Sequence, residues 1–390
     1  MIVMVTLLSG CTTFDNFKAA FIDKPQDKSA TIQIGIYEPL TGADKKASED
    51  EIAGIKLAYE QYPTVNGKFI ELIEADNASN IYAAETAIKE LLLKEPKVIL
   101  GSYGSVYSLV AGDYIREAET PAIAMTNTNP LVTKNNDYYF RVCYVYSNQG
   151  DILARYLLEE KKIKKAGVLL PKNDDMAMAM ATAFKDRMVA ETKDNDAIAV
   201  YEEYEAGSKD FTEQLHVVAE SDVDYVLLPG DINDSVEIIK QAKEMGLNTV
   251  FLGDMDWATE EFKELAGESA NIDNTAFISF FDANNTVTEE NKEADKFLKA
   301  YHEEYGEDST PSDAVALGYD AYLIAINAID KAPDDATAAE VREVLAGQHK
   351  FQGASGIITF NGMGDPIKTG YISTWTNGQI ETISTINPTL

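Results

Sequence analysis

Cations are scarce in this chain: 33 Lys and Arg stand against 65 Asp and Glu, for a net charge of −32. So acidic a surface repels phosphate backbones and excludes a nucleic-acid partner; the charge serves solubility instead. Histidine is scarcer still. His216, His302 and His349 stand far apart, none in an H-x-x-x-H or C-x-x-C setting, which argues against a zinc site. Beyond the N-terminus no run of about 18 apolar residues occurs, so no segment there spans a bilayer as a helix. Short repeats and low-complexity tracts are also missing. Asp231, Asp254 and Asp256 form an acidic group, but no nucleophile–base pair and no histidine ligand accompany them. That sets catalysis aside, and nothing calls for a metal or cofactor.

What the chain does have is length and rhythm. Its 390 residues, 45% of them hydrophobic, exceed the size at which one core usually splits in two. From residue 31 onward, short apolar runs such as "TIQIGIYEP", "KFIELIEAD", "KVILGS", "PAIAMTN", "KKAGVLLPK", "DYVLLPGD", "TVFLGDMD" and "TAFISFF" alternate with amphipathic stretches such as "NIYAAETAIKELLLK" and "DSVEIIKQAKEMG". Strand, helix, strand predicts an α/β fold of doubly wound parallel sheets covered on both faces. In such sheets ligands bind beyond the carboxyl ends of strands, where "GSYGS", "MTNTNP", "PKNDD", "PGDIND" and "GDMDW" all fall.

The stretch "GSYGSVYS", residues 101–108, narrows the chemistry. No lysine follows before Arg116, so it is not a Walker phosphate cradle, and its order is wrong for a G-x-S-x-G nucleophile elbow. Two readings remain: a helix start that caps itself, or one whose unpaired N–H groups and positive dipole end receive an anion with help from serine hydroxyls.

At the N-terminus, the apolar "MIVMVTLLSG" ends in Leu8-Ser9-Gly10-Cys11. This resembles a bacterial lipobox, although no Lys or Arg precedes the short apolar run, and a chance apolar N-terminus is the alternative. The resemblance implies a signal segment 1–11, a lipidated Cys11 anchored to the cell membrane, and a tether over 12–30. Lipidation of Cys11 would leave Cys143 without a disulfide partner, as a buried small hydrophobe.

The order and spacing of "EPLTG", "GSYGS", "PAIAMTNTNP", "YYFRV", "NQG", "DFTEQL", "LLPGD", "FLGDMDW", "LGYDAYLIAINAI" and "GIITFNGMGDP" resemble the type I periplasmic binding proteins. The branch is that of the leucine/isoleucine/valine receptors of ABC importers. The resemblance implies two α/β lobes joined by three hinge crossovers, with residues 31–145 and 279–367 in one and 146–278 and 368–390 in the other. It implies an extracytoplasmic monomer that closes on an amino acid or related small carboxylate and engages permease subunits; the alternatives are a ligand-sensing receptor component of the same fold, or a binder of a non-amino-acid carboxylate or amide. By the resemblance, Ser105, Thr126 and Thr128 hold the ligand's carboxylate and ammonium, with Asn129 and Pro130 shaping the turn and Gly104 letting backbone approach. Turn chemistry alone is the other account of the threonines.

This chain departs from the family's pattern in its second half. Met255 stands where relatives carry the acid for a ligand ammonium, and Asp231 stands where they carry an aromatic. Asp231 and Asp256 are therefore the alternative partners for such an ammonium, and Asp231 reads equally as a helix N-cap. Met176 replaces a usual tyrosine, Tyr146 a usual aspartate, and Ala47 and Ser48 an aromatic and a glycine, which puts branched aliphatic specificity in question. Tyr103, Tyr146 and Trp257 offer either an aromatic wall or ordinary core packing. The methionines from 176 to 180 suit helix core or surface better than a thioether metal site.

Overall fold

The computed structural model describes residues 31–268, 270–282, 291–307 and 309–388. The lipidation at Cys11, the signal segment and the tether lie outside these residues.

Six strands make the first sheet: β1 (Thr31–Glu38), β2 (Thr64–Val65), β3 (Lys68–Asp76), β4 (Val98–Gly101), β5 (Ala122–Ala124) and β6 (Tyr139–Arg141), in the order β2-β3-β1-β4-β5-β6. Apart from the short β2 hairpin every pairing is parallel, with Ile34 of β1 beside Leu72 on one side and Val98 on the other. β1 is the point from which the chain winds outward in both directions. Helices α1 (Lys45–Gln61), α2 (Ile81–Leu92) and α3 (Ser105–Glu117) connect these strands.

The second sheet combines β7 (Ala166–Pro171), β8 (Ile198–Tyr204), β9 (Tyr225–Leu227), β10 (Val250–Gly253) and β11 (Thr275–Ser279) in parallel. The C-terminal strands β15 (Gly370–Thr376) and β16 (Gln379–Ile386) extend it antiparallel, giving the order β16-β15-β11-β10-β9-β7-β8. Its helices are α4 (Tyr146–Arg155), α5 (Asp175–Thr192), α6 (Thr212–Glu220), α7 (Ile232–Glu244) and α8 (Glu260–Ala266).

After β11 the chain returns to the first sheet. Of α9 (Lys292–Tyr305), α10 (Asp313–Lys331) and α11 (Ala338–Ala346), α10 lies along α1, where Ser312 Oγ donates to Asp50 at 2.6 Å and the Tyr319 hydroxyl to Gln61 Oε1 at 3.0 Å. A small antiparallel sheet of β12 (Phe351–Gly353), β13 (Gly356–Phe360) and β14 (Pro366–Lys368) follows before β15 rejoins the second sheet. The polypeptide thus passes between the two sheets three times: after β6, after β11 and after β14.

Strand burial follows sequence character. "VILG" in β4 and "AGVLLP" in β7 are buried throughout, as strands covered by helices on both faces must be. One hydrophobic cluster runs from β1 and α10 through Cys143, Tyr144, Phe280 and Ile372 at the passages into β7 and β10. Cys143 is fully buried there, and burial pushes its thiol up to about 12, so it behaves as an inert apolar side chain.

Candidate functional site

Two turns at the end of the first sheet meet. After β4 the chain passes Gly101, where a β-carbon would sit 2.1 Å from the Tyr37 carbonyl oxygen, so only glycine permits the approach. Ser102 and Ser108 are buried and committed to structure. Asn77 Nδ2 donates to Ser102 Oγ at 2.7 Å, while Ser108 Oγ accepts from the Ser102 amide and from Asn127 Nδ2, both at 3.2 Å. Ser105 differs. It is half-buried and opens α3, whose N-cap is Gly104 with φ of 80°, and no side chain caps the first-turn amides. A 13-residue helix therefore presents its positive end beside a hydroxyl, a setting suited to a carboxylate.

Ser105 Oγ also accepts from the Asn129 amide at 3.4 Å, which ties this turn to the one after β5. Arg141 of β6 braces the second turn from behind. Fully buried, it donates to the carbonyls of Asn127 and Asn129 at 2.6 and 2.9 Å and to Thr133 Oγ1 at 2.8 Å, and it pairs with Asp365 at 2.7 Å. Thr126 and Thr128 are half-buried in the turn so held.

Beneath both turns lies a carboxyl pair that sequence reasoning missed. Glu38, the last residue of β1, accepts the Tyr103 amide at 2.7 Å; Glu51 of α1 accepts the Thr126 hydroxyl; and each carboxyl acts on the other, leaving Glu38 Oε1 and Glu51 Oε2 without a hydrogen-bond partner among the described residues. Both are fully buried. Burial pushes Glu51 up to about 7, and burial together with the neighbouring Glu51 raises Glu38 well above the usual range, so the pair retains a proton near neutrality. A signal was available. Glu51 shares a helical face with Ser48, Ile52, Ile55 and Ala58, all buried, and an acid on an apolar stripe asks for a reason.

The second sheet contributes acids too. Asp254, buried, caps the turn after β10 by accepting the Asp256 amide at 3.0 Å; burial first, then Asp256, raises it well above the carboxylate range. Asp256 is half-buried and also raised, chiefly by burial. The Tyr146 hydroxyl, at the start of α4, reaches Asp256 Oδ2 at 3.4 Å and the Thr128 side chain across from it. Tyr103 stands in the field of both edges: burial, then the charges of Asp256 and Glu51, push its phenol up to about 12. Tyr103, Gly104, Ser105, Thr126, Thr128, Tyr146 and Asp256 are thus brought together.

Others sit apart. Asp231 is exposed and caps α7, accepting the Asn233 amide at 2.8 Å. Met255 is half-buried with its amide bonded to Gln149 Oε1 at 3.2 Å, and Met176 is half-buried in the first turn of α5. Trp257 is no cleft wall. It is fully buried in the second-sheet core, stacked on Phe262 with centroids 4.9 Å apart and packed on Gly253, where a β-carbon would lie 2.0 Å from its ring. Met180 of the methionine run is core, whereas Met178 is exposed. Among the described residues no group of three or more His, Cys, Asp or Glu is placed to hold a metal ion, and no helix is long and apolar enough to cross a membrane.

Comparison with known proteins agrees with this geometry. The family model described as periplasmic binding protein matches residues 31–379. The chain belongs to the periplasmic binding protein family. Its members are substrate-binding proteins rather than enzymes, and membership implies an extracytoplasmic location. Among similar proteins, this binding protein is 24% identical to a Leu/Ile/Val-binding protein homolog of Brucella melitensis over 90% of this chain and 93% of that one. It is 28% identical to an amino acid binding protein of Pseudomonas aeruginosa, over 61% of this chain and 64% of the relative, just under two thirds of that relative's length. Among solved structures, a branched-chain amino acid transporter substrate-binding protein of Streptococcus pneumoniae, in complex with isoleucine, is 27% identical. It superposes with a TM-score of 0.72 over 90% of this chain and 99% of that one. A leucine-binding protein of Thermotoga maritima is 26% identical with a TM-score of 0.75, over 92% and 99% of the two chains. A neighbour from R. palustris complexed with benzoate, 18% identical with a TM-score of 0.71 over 92% and 97%, shares the fold.

Proposed function

We propose that this binding protein is the solute receptor of an ABC importer and binds an amino acid or related small carboxylate between its two sheets. The observation that carries the reading is the side-chain-free start of α3, with Ser105 bonded to the braced Thr126–Asn129 turn. Relatives that bind leucine and isoleucine on the same fold support it. Residues 31–145 with 279–367, and 146–278 with 368–390, act as two lobes that turn about the three passages. A ligand touching both edges stabilises the closed arrangement by its differential affinity, and the closed shape is what permease subunits recognise. Tyr146, which meets Thr128 across the gap, closes over the ligand with Tyr103.

Anchoring belongs to the same proposal: Cys11 carries lipid and tethers the receptor to the membrane. Metabolic labelling with a palmitate analogue in cells tests it, with Cys11→Ser as the control; equal labelling of both forms refutes it. For the ligand, a thermal-shift screen over the proteinogenic amino acids and small carboxylic acids is decisive, because a compound that binds only the folded form raises its melting temperature. At 100 times its Kd such a compound adds about 2.7 kcal/mol. A screen in which no amino acid or carboxylate shifts the melt excludes this ligand class.

A further inference from the structure

Met255 supplies no negative charge for a ligand's ammonium. We propose that Glu51, acting through the Thr126 hydroxyl, takes this role, and that Thr126 is an acceptor for the ligand's ammonium rather than a donor to its carboxylate. The inference rests on the binding function proposed above and deepens it.

The proton on Thr126 is already committed. A hydroxyl has one hydrogen to donate, and here it goes to Glu51 Oε1. Toward any other neighbour Thr126 presents lone pairs. An ionised carboxyl behind it strengthens that acceptor character, as charge-assisted bonds in a chain do.

Charge comes next. Glu38 and Glu51 act on each other, and one buried oxygen of each, Glu38 Oε1 and Glu51 Oε2, has no hydrogen-bond partner among the described residues. Among the described residues no lysine or arginine forms an ion pair with either, so a single retained proton leaves the pair with one negative charge. That charge reaches the site, because Glu51 acts on Tyr103 as well.

Geometry then selects Glu51 over the acids of the second sheet. In an α-amino acid the nitrogen and the carboxyl carbon are about 2.5 Å apart through one carbon. A carboxylate at Ser105 therefore puts the ammonium beside the turns of the first sheet, where Thr126 lies. Asp254 already accepts the Asp256 amide, Asp231 is an exposed helix cap, and Asp256 faces the Tyr146 hydroxyl.

Calorimetry on the full protein tests the assignment. Each of the twenty amino acids is titrated, and for any that binds, the corresponding acid lacking the amino group is titrated too. The parent should prefer the amino form, and Glu51→Gln should weaken that preference at least tenfold while leaving affinity for the des-amino acid within about threefold. Thr126→Val should do the same, and Thr126→Ser should restore the preference, which a purely structural role would not predict; the Thr126 pair also decides the matter should Glu51→Gln fold poorly. A preference unchanged in Glu51→Gln and Thr126→Val, or lost instead in Asp256→Asn, overturns the assignment alone. A parent that binds no amino acid overturns it too, and if it binds no small carboxylate either, the function proposed above falls with it.

Discussion

Two of the acidic groups in the interior of this molecule are equipped differently. Around the passages between the sheets, Asp320 accepts from the Ala354 and Ser355 amides at 2.5 and 2.9 Å and from Ser355 Oγ at 2.5 Å. Asp313, half-buried, accepts from the Phe280 and Phe281 amides at 2.7 and 3.0 Å. Lys368, buried like Asp320, donates to Ser355 Oγ at 2.7 Å and is pushed down to about 8 by burial, against the pull of both aspartates. At the ends of the first sheet, Glu38 and Glu51 are fully buried but have one outside donor each and, among the described residues, no cation paired with them. The first group is a finished joint. The second is short of positive charge, which is the state expected of acids that wait for a cationic group on a guest.

Lys368→Met should break the comparison most severely. Lys368 faces Asp320 through the Ser355 hydroxyl, so removing the cation leaves that carboxyl uncompensated in the interior, and loss of one partner of a buried charge pair costs about 3–5 kcal/mol. Urea unfolding measures it, and a loss under about 1 kcal/mol would mean the two groups are alike. Ser105→Ala comes next: deleting a hydroxyl that bonds a charged ligand should weaken binding by roughly 1.5–3 kcal/mol, with unfolding stability within about 0.5 kcal/mol of the parent. Calorimetry with whichever compound the screen identifies reads it, and unchanged affinity removes Ser105 from the site.

The third effect is a pH dependence. Glu51 is raised from 4.5 to about 7, so the folded form holds this proton more tightly than the unfolded form does. Its contribution to stability is complete below about pH 4.5 and is lost as pH rises through about 7. Asp313 and Asp320 are raised too and act in the same direction, so the difference between variants is what isolates Glu51. The titratable groups around it are Glu38, Asp50, Tyr103, Tyr139 and Cys143. In the unliganded protein Glu51→Gln should be more stable than the parent by about 2 kcal/mol at pH 8, with the advantage gone at pH 4. Parallel stability curves for the two proteins would contradict the raised carboxyl. Smallest is Asp231→Asn: asparagine caps as well as aspartate, so stability should stay within about 0.5 kcal/mol and ligand affinity should hold. A large loss of affinity would bring Asp231 back as the ammonium's partner.

Much of the fold was legible because parallel strands buried on both faces are nearly unbroken apolar runs. "KKAGVLLPK" and "KVILGS" declare themselves that way, as β7 and β4. The edge strand β8, "IAVYEEY", alternates instead and is easier to pass over, as is the antiparallel pair β15 and β16, whose place beside β11 depends on a return from 90 residues away. At the site, Ser105 could be picked out because a Gly-Ser step before a helical pattern has a local meaning. Asp231 was open to two accounts, and the structure places it as an exposed cap. Trp257 illustrates the reverse problem: a tryptophan after a strand suits a cleft wall or a core equally, and Gly253 decided for the core by leaving room against the strand. Glu38 and Arg141 were silent and Glu51 showed only as an acid on an apolar helical face, since each takes its meaning from partners elsewhere in the chain: Tyr103, 65 residues from Glu38, Thr126, 75 residues from Glu51, and Asp365, paired with Arg141.

The order of residues alone determined the strand–helix alternation, the polar turns at strand ends, and an acidic protein unsuited to nucleic acid, because propensity, periodicity and net charge are properties of short segments or of simple sums. Tertiary structure decided which serine of "GSYGSVYS" is available, which acids receive a cation and which do not, and that a tyrosine of α4 meets a threonine after β5. Those outcomes depend on burial and on donors brought from distant strands, and neither quantity exists until the chain has folded.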